Sequence, residues 1–251
     1  MTSLRIAWIA VRELVHERFF YLLAAFAIAS FGFSLLLGQM TYAEQSKLTL
    51  DFMLGTTHGI LVLFAIFMGV SLFQRELQSG SISMILSKPI SRASFLLGKF
   101  LGQIGVQAIM AAIMATLTIA FCSRLSEDVP IGACIQTVTL LYLESVVLTA
   151  LTYTFAVFTG TLTTALITVA LFCLGHLRGM VQSALTANSA ASRLTRVLIP
   201  DLETFNTKSL ASYGQTLGAA DFQWAIGYAA VCLTLYLTLA IFGFSRKDIA
   251  T

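Results

Sequence analysis

Charge is what this 251-residue chain has least of: 11 % of its residues are Asp, Glu, Lys or Arg, against 57 % hydrophobic. Soluble domains carry about 25 % charged residues, so a chain this poor in them cannot cover a water-facing surface. A mean hydropathy of +0.86 says the same. A soluble protein is excluded, and an integral membrane protein is established. The net charge of +3 is too small to suggest a nucleic-acid partner. Cysteine is also sparse: Cys122, Cys134, Cys173 and Cys232 stand far apart without metal-ligand spacing, which suits small apolar residues in spans. Cys122 and Cys134 fall near the same membrane face, where a disulfide is open to them, but free thiols are the expectation. The N-terminus has no short apolar run with a small-residue cleavage site, so no signal peptide is expected.

Catalytic signatures are missing as well. There is no G-x-S-x-G, no H-E-x-x-H and no Cys-x-x-Cys. Gly98-Lys99 is followed by Phe100 and lacks the upstream glycine of a phosphate loop. The chain is therefore not expected to hydrolyse nucleotide, to act as an enzyme, or to carry a cofactor or metal of its own. Any energy input must come from a partner.

What the chain does have is apolar runs of the length a bilayer requires, about 20 residues each. Six are expected, near Phe19–Leu37, Phe52–Phe73, Phe100–Phe121, Gln136–Phe158, Thr161–Leu177 and Phe222–Phe244. Before them, within residues 1–18, Leu4, Trp8, Val11 and Val15 repeat at helical spacing among Arg5, Arg12, Glu13, Glu17 and Arg18. Such a stripe suits an amphipathic helix at the membrane surface. The predicted fold class is an all-α integral membrane protein, a single domain over residues 1–251. It comprises six transmembrane helices, the interfacial helix and a helical cap at 178–221.

Six spans place both termini on one side. That side then holds nine of the basic residues against four acids, and the other side six against seven. The positive-inside rule makes the first side cytoplasmic. The Arg178–Asp221 connection becomes extracytoplasmic, and its apolar content predicts an ordered cap. Within it, Pro200 to Lys208 reads as a structured turn followed by a short helix.

The longest polar interruption of the first half, residues 74–99, reads QRELQSGSISMILSKPISRASFLLGK. Arg75, Glu76 and Ser79 suit a short helix ending at Gly80, which tolerates a left-handed C-terminus. After Ser87 and Lys88, Pro89 breaks regular structure. Ser91 can then cap a helix that starts near Arg92. A helix, a turn and a re-entry in one cytoplasmic loop predict a docking element. Further on, Gly98 and Gly102 form a small-xxx-small step that lets helices approach closely.

Within the spans, Glu144 stands out, because a mid-helix carboxylate costs roughly 2.5–3.5 kcal/mol on insertion scales. It calls for a partner or a wet cavity. His176 and Arg178, at the end of the fifth span, are expected at similar depth, and one of them is expected to pair with it. Both a structural contact and a substrate-path role remain open. His58, beside Thr56 and Thr57, is expected to hydrogen-bond a neighbouring helix rather than a ligand. The eight methionines are scattered and form no copper-binding cluster.

Glu76-Leu-Gln-Ser-Gly-Ser-Ile, Leu86-Ser-Lys-Pro-Ile-Ser-Arg and Phe95-Leu-Leu-Gly-Lys-Phe-Leu-Gly resemble the permease subunits of type 2 ABC exporters over nearly the whole chain. Pro200-Asp-Leu-Glu-Thr-Phe-Asn-Thr-Lys and Tyr213-Gly look like the branch that includes copper-enzyme-maturation and nitrous oxide reductase accessory permeases. The resemblance implies a bacterial inner-membrane subunit whose coupling helix, with Glu76 and Gly80, seats in a separate ATP-binding subunit. It further implies two such ATPases, carrying ATP and Mg, on two permease chains, expected to be a homodimer, with a periplasmic protein as a further partner. Two functions compete. One is export of a substrate. The other is a mechanotransmitting scaffold that relays ATPase motion to a periplasmic factor and transports nothing. A continuous polar path would separate them, and outside Glu144 the spans are expected to offer few polar groups.

Overall fold

The structure, a computed structural model, describes residues 2–40, 45–78, 92–125, 130–179 and 199–246. Nine α-helices make up the described chain: α1 (Thr2–Val15), α2 (Arg18–Met40), α3 (Gln45–Leu63), α4 (Gly69–Gln78), α5 (Arg92–Leu125), α6 (Ile131–Phe158), α7 (Thr161–His176), α8 (Lys208–Ser212) and α9 (Ala219–Arg246). A π-helical turn, Phe64–Met68, joins α3 to α4 without breaking the rod. Four described stretches are long and apolar enough to cross a membrane: Lys47–Leu72, Arg92–Ser123, Ile131–Phe158 and Ala219–Arg246. The apolar α7 is shorter, and α2 is an apolar helix of 23 residues.

α6 is the hub. Along its length it packs against α3, α4, α5, α7 and α9, and from Glu144 to Thr154 every residue is buried. A helix apolar on all sides belongs in the middle of a bundle. Its second half meets α9, Phe95, Phe100, Leu202 and Phe205 in one core; its first half joins α2, α3 and the far part of α5 in another. The opposite case is α9, whose Val231, Leu235 and Phe242 lie exposed and suit lipid contact.

Two close approaches set the packing. At Gly102, a Cβ would stand 2.6 Å from the Ala7 carbonyl oxygen and 2.7 Å from the Ala10 Cβ. Helix α1 therefore lies directly on α5 through Ala7, Ala10 and Leu14, leaving Trp8 72 % exposed. At Gly175, a Cβ would meet Leu202 at 2.8 Å and the Pro200 carbonyl oxygen at 2.9 Å, which brings the Pro200 turn down onto the end of α7.

The π turn has an identifiable partner. Widening a helix frees backbone carbonyls, and Gln103 Nε2 of α5 donates to the Ala65 carbonyl at 3.2 Å. Cys122 and Cys134 are buried free thiols.

Candidate functional site

Polar chemistry gathers at the two ends of this bundle and at the middle of α6. At the end carrying Gln74 and Arg92, α4 runs on through Arg75 and Glu76 to Gln78, since no glycine or proline interrupts it after Gly69. Ser79, Gly80, Ser87, Lys88 and Pro89 lie outside the described residues, between α4 and α5. The residues flanking them are tied to other helices. Gln74 is buried and donates to the Ala156 carbonyl at 3.0 Å and the Thr159 carbonyl at 2.5 Å, across the α6–α7 turn. Arg92 Nη1 donates to the carbonyls of Phe244 and Ser245, both at 3.2 Å. A guanidinium on the last carbonyls of α9 satisfies its C-terminus and opposes its dipole. Seven residues on, Lys99 Nζ stands 2.6 Å from Glu13 Oε2 of α1; the lysine is 4 % exposed and the glutamate 32 %. Gly98 is buried on the same helix, and the face at Gly102 is occupied within the chain by α1.

The other end is capped by residues 199–218. The cap includes the 3₁₀ turn Glu203–Phe205 and α8, and it is fastened to several helices. Gln136 exchanges two hydrogen bonds with Leu217, at 2.8 and 3.2 Å. Thr137 and Thr207 share a hydroxyl bond of 3.0 Å. The Asp201 N–H donates to Tyr228 Oη at 2.6 Å, and Ser212 donates to Asp51 at 3.2 Å. Arg178 pairs with Asp201 at 3.5 Å.

Beneath this cap lies Glu144, fully buried midway along the 28-residue α6. Two histidines face it. His58 Nε2 stands 3.0 Å from Oε2 and His176 Nε2 3.6 Å from Oε1. The imidazoles themselves are 5.5 Å apart, with Phe172 against both. Lys208 reaches down from α8, its Nζ 2.9 Å from His58 Nδ1. Of the residues singled out from the sequence, Glu144 and His176 are thus brought together, while Arg178 turns to Asp201 in the cap.

Sequence reasoning passed over Lys208, which reads as an ordinary lysine of a surface loop. It also passed over Gln103 and Gln107. These are buried on α5, and Gln107 Nε2 donates to Thr149 at 2.9 Å. Their spacing of four residues was the available signal, since it puts two amides on one helical face. Beside this packed interior, an apolar groove of about 440 Å³ opens between α2 and α5, lined by Phe20, Leu23, Ala27, Met110, Met114 and Leu117 among others.

Among curated proteins, none matches the chain. The family described as ABC-2 family transporter protein matches residues 5–249. That match takes in the described helices from within α1 to α9, and the chain therefore belongs to the ABC-2 transporter family as the membrane subunit of an ABC transporter.

Proposed function

We propose that this chain is the permease through which a separate ATPase subunit drives export of a substrate, with residues 74–99 as the coupling element. The observation that carries the proposal is the anchoring on either side of that segment. Gln74 holds the α6–α7 turn, and Arg92 holds the end of α9. A push on the intervening residues would reach α6, α7 and α9 through two side chains. Lys99 and Glu13 extend the same linkage to α1. In this reading six spans place both termini in the cytoplasm, two copies of the chain pair with two ATPases, and ATP and Mg stay on the ATPases. The groove between α2 and α5 supports lateral entry of an apolar or amphipathic substrate.

A second reading draws on the opposite end. The cap is bonded to α3, α6 and α9 through Asp51, Gln136, Thr137 and Tyr228, so helix motion would also move the cap and any extracytoplasmic protein seated on it. Force transmission without transport uses the same coupling.

The test is co-purification and ATP hydrolysis with the ATPase encoded nearest the chain, comparing wild type with Glu76→Lys and Arg92→Ala. Loss of stimulated hydrolysis in both variants, with the chain still folded, is the expected result. Undiminished association and stimulation in both would refute the coupling role.

A further inference from the structure

Beneath the cap, four buried atoms converge: His58 Nε2, His176 Nε2 and both carboxylate oxygens of Glu144. None of them has a hydrogen bond of adequate geometry among the described residues. The 3.0 Å approach of His58 Nε2 to Glu144 Oε2 is a close contact without the alignment of a hydrogen bond. Buried polar atoms are almost always satisfied. Four together, on three different helices and aimed into one volume, form a donor set. We propose that His58, Glu144 and His176 form a binding site for a divalent first-row metal ion, guarded from the capped end by Lys208.

The geometry fits such an ion. Donors bound at about 2.0–2.1 Å around a tetrahedral ion stand about 3.3 Å from one another. The contacts of 3.0 and 3.6 Å lie on either side of that spacing, each to a different oxygen of Glu144. One ligand atom from each residue falls within 4.8 Å of the others, so the three can share one centre after side-chain adjustment. Two imidazoles and one carboxylate suit zinc and its neighbours better than calcium or magnesium, which favour oxygen alone. Three protein ligands leave a fourth position open to water or an exchanging group.

The second contacts assign the ring nitrogens. His176 Nδ1 lies 3.3 Å from the Phe172 carbonyl, so Nδ1 carries the proton and Nε2 offers its lone pair toward Glu144. A metal-bound histidine typically has this arrangement. His58 is poised the other way. Lys208, as an ammonium, can only donate, so the 2.9 Å contact makes His58 Nδ1 the acceptor and leaves the proton on Nε2. A metal on His58 Nε2 requires the ring proton to move to Nδ1, where an ammonium cannot accept it. Metal loading and the Lys208 contact therefore exclude each other. Lys208 stands over His58 on the side of the cap, so an ion arriving from that side would meet its ammonium first.

The test uses the full-length chain without an affinity tag, purified in detergent, stripped with chelator and titrated with Co(II), then back-titrated with Zn(II). It requires no ATPase, so its failure is separate from failure of the coupling role. One Co(II) per chain, with the visible ligand-field absorption of mixed nitrogen and oxygen ligation and displacement by Zn(II), is expected. Glu144→Gln and His176→Gln should each weaken binding by about 100-fold or more, above what loss of an outer partner does. Lys208→Met should tighten it by about tenfold, by removing a positive charge beside the site. If Glu144→Gln does not fold, His176→Gln answers alone. Absence of a tight equivalent, or wild-type affinity in folded His176→Gln, would show that the three groups share only a proton and overturn the proposal. Weaker binding in Lys208→Met would overturn the guarding role.

Discussion

At the level of single residues, the chain separates charges that hold helices together from a carboxylate that needs company. Lys99 and Glu13 are the clearest of the first kind. The ammonium is buried and the carboxylate partly wet, so the two halves of the pair are not equivalent. Glu13→Ala leaves a buried cation without its carboxylate, and Lys99→Met leaves an apolar chain in an apolar place beside a solvated acid. Breaking a fully buried pair from one side costs about 3–5 kcal/mol, and the cost is smaller here, where Glu13 is partly wet and Lys99 keeps a further contact. Glu13→Ala should therefore lower thermal stability in detergent clearly more than Lys99→Met, and equal losses would contradict the asymmetry. Glu144 is the other kind. The sequence marked it as costly, and it marked His176 as a neighbour in depth. His58 drew notice without a partner, and Lys208 drew none. Insertion cost can be read from one residue and its neighbours in a span. The identity of a partner depends on which helix face turns inward, and this four-member cluster spans three helices and a cap.

At the level of elements, glycine contacts decide which helices touch. Gly102 and Gly105 lie on the same helix, yet a Cβ at 102 would strike backbone of α1 whereas a Cβ at 105 meets nothing within 4 Å. Gly102→Ala should thus destabilise by about 1–3 kcal/mol, as overpacking does, and release α1, while Gly105→Ala should be neutral or slightly stabilising. A thermal-shift series on both variants checks this; equal behaviour would show that α1 does not sit where the structure places it. Gly175→Ala applies the same logic to the cap, since the new methyl would meet Pro200 backbone. It should raise proteolytic nicking between 199 and 218 several-fold while the spans stay intact; unchanged nicking would contradict the tight seat of the cap. Four of the six expected spans were plain in the sequence, because long apolar runs need no knowledge of neighbours. The Pro200 turn and the α8 helix were legible from local turn chemistry. The π turn was not. Phe64 to Met68 is ordinary apolar sequence, and the group that accommodates it, Gln103, comes from another helix. The packing of α1 was half legible: its helical period was evident, but the stripe of large residues suggested a membrane-facing role and hid the small face at Ala7 and Ala10 that meets Gly102.

At the level of the whole molecule, the chain is a bundle around α6 with a polar linkage at each end. One linkage flanks residues 79–91, and the other fastens the cap. The central claim is that a partner's nucleotide cycle enters through the first of these and leaves through the helices it grips. Gln74 and Arg92 make that mechanically direct, each by hydrogen bonds to the backbone of distant helix ends. The most direct measurement is cross-linking of the assembled complex with single cysteines introduced in turn along 75–91 and 199–218, in a background lacking the four natural cysteines. The account predicts adducts with the ATPase from positions such as Gly80→Cys and Lys88→Cys, and none from the cap. Adducts from the cap alone, or full association after residues 79–91 are replaced by a glycine-serine linker, would contradict it.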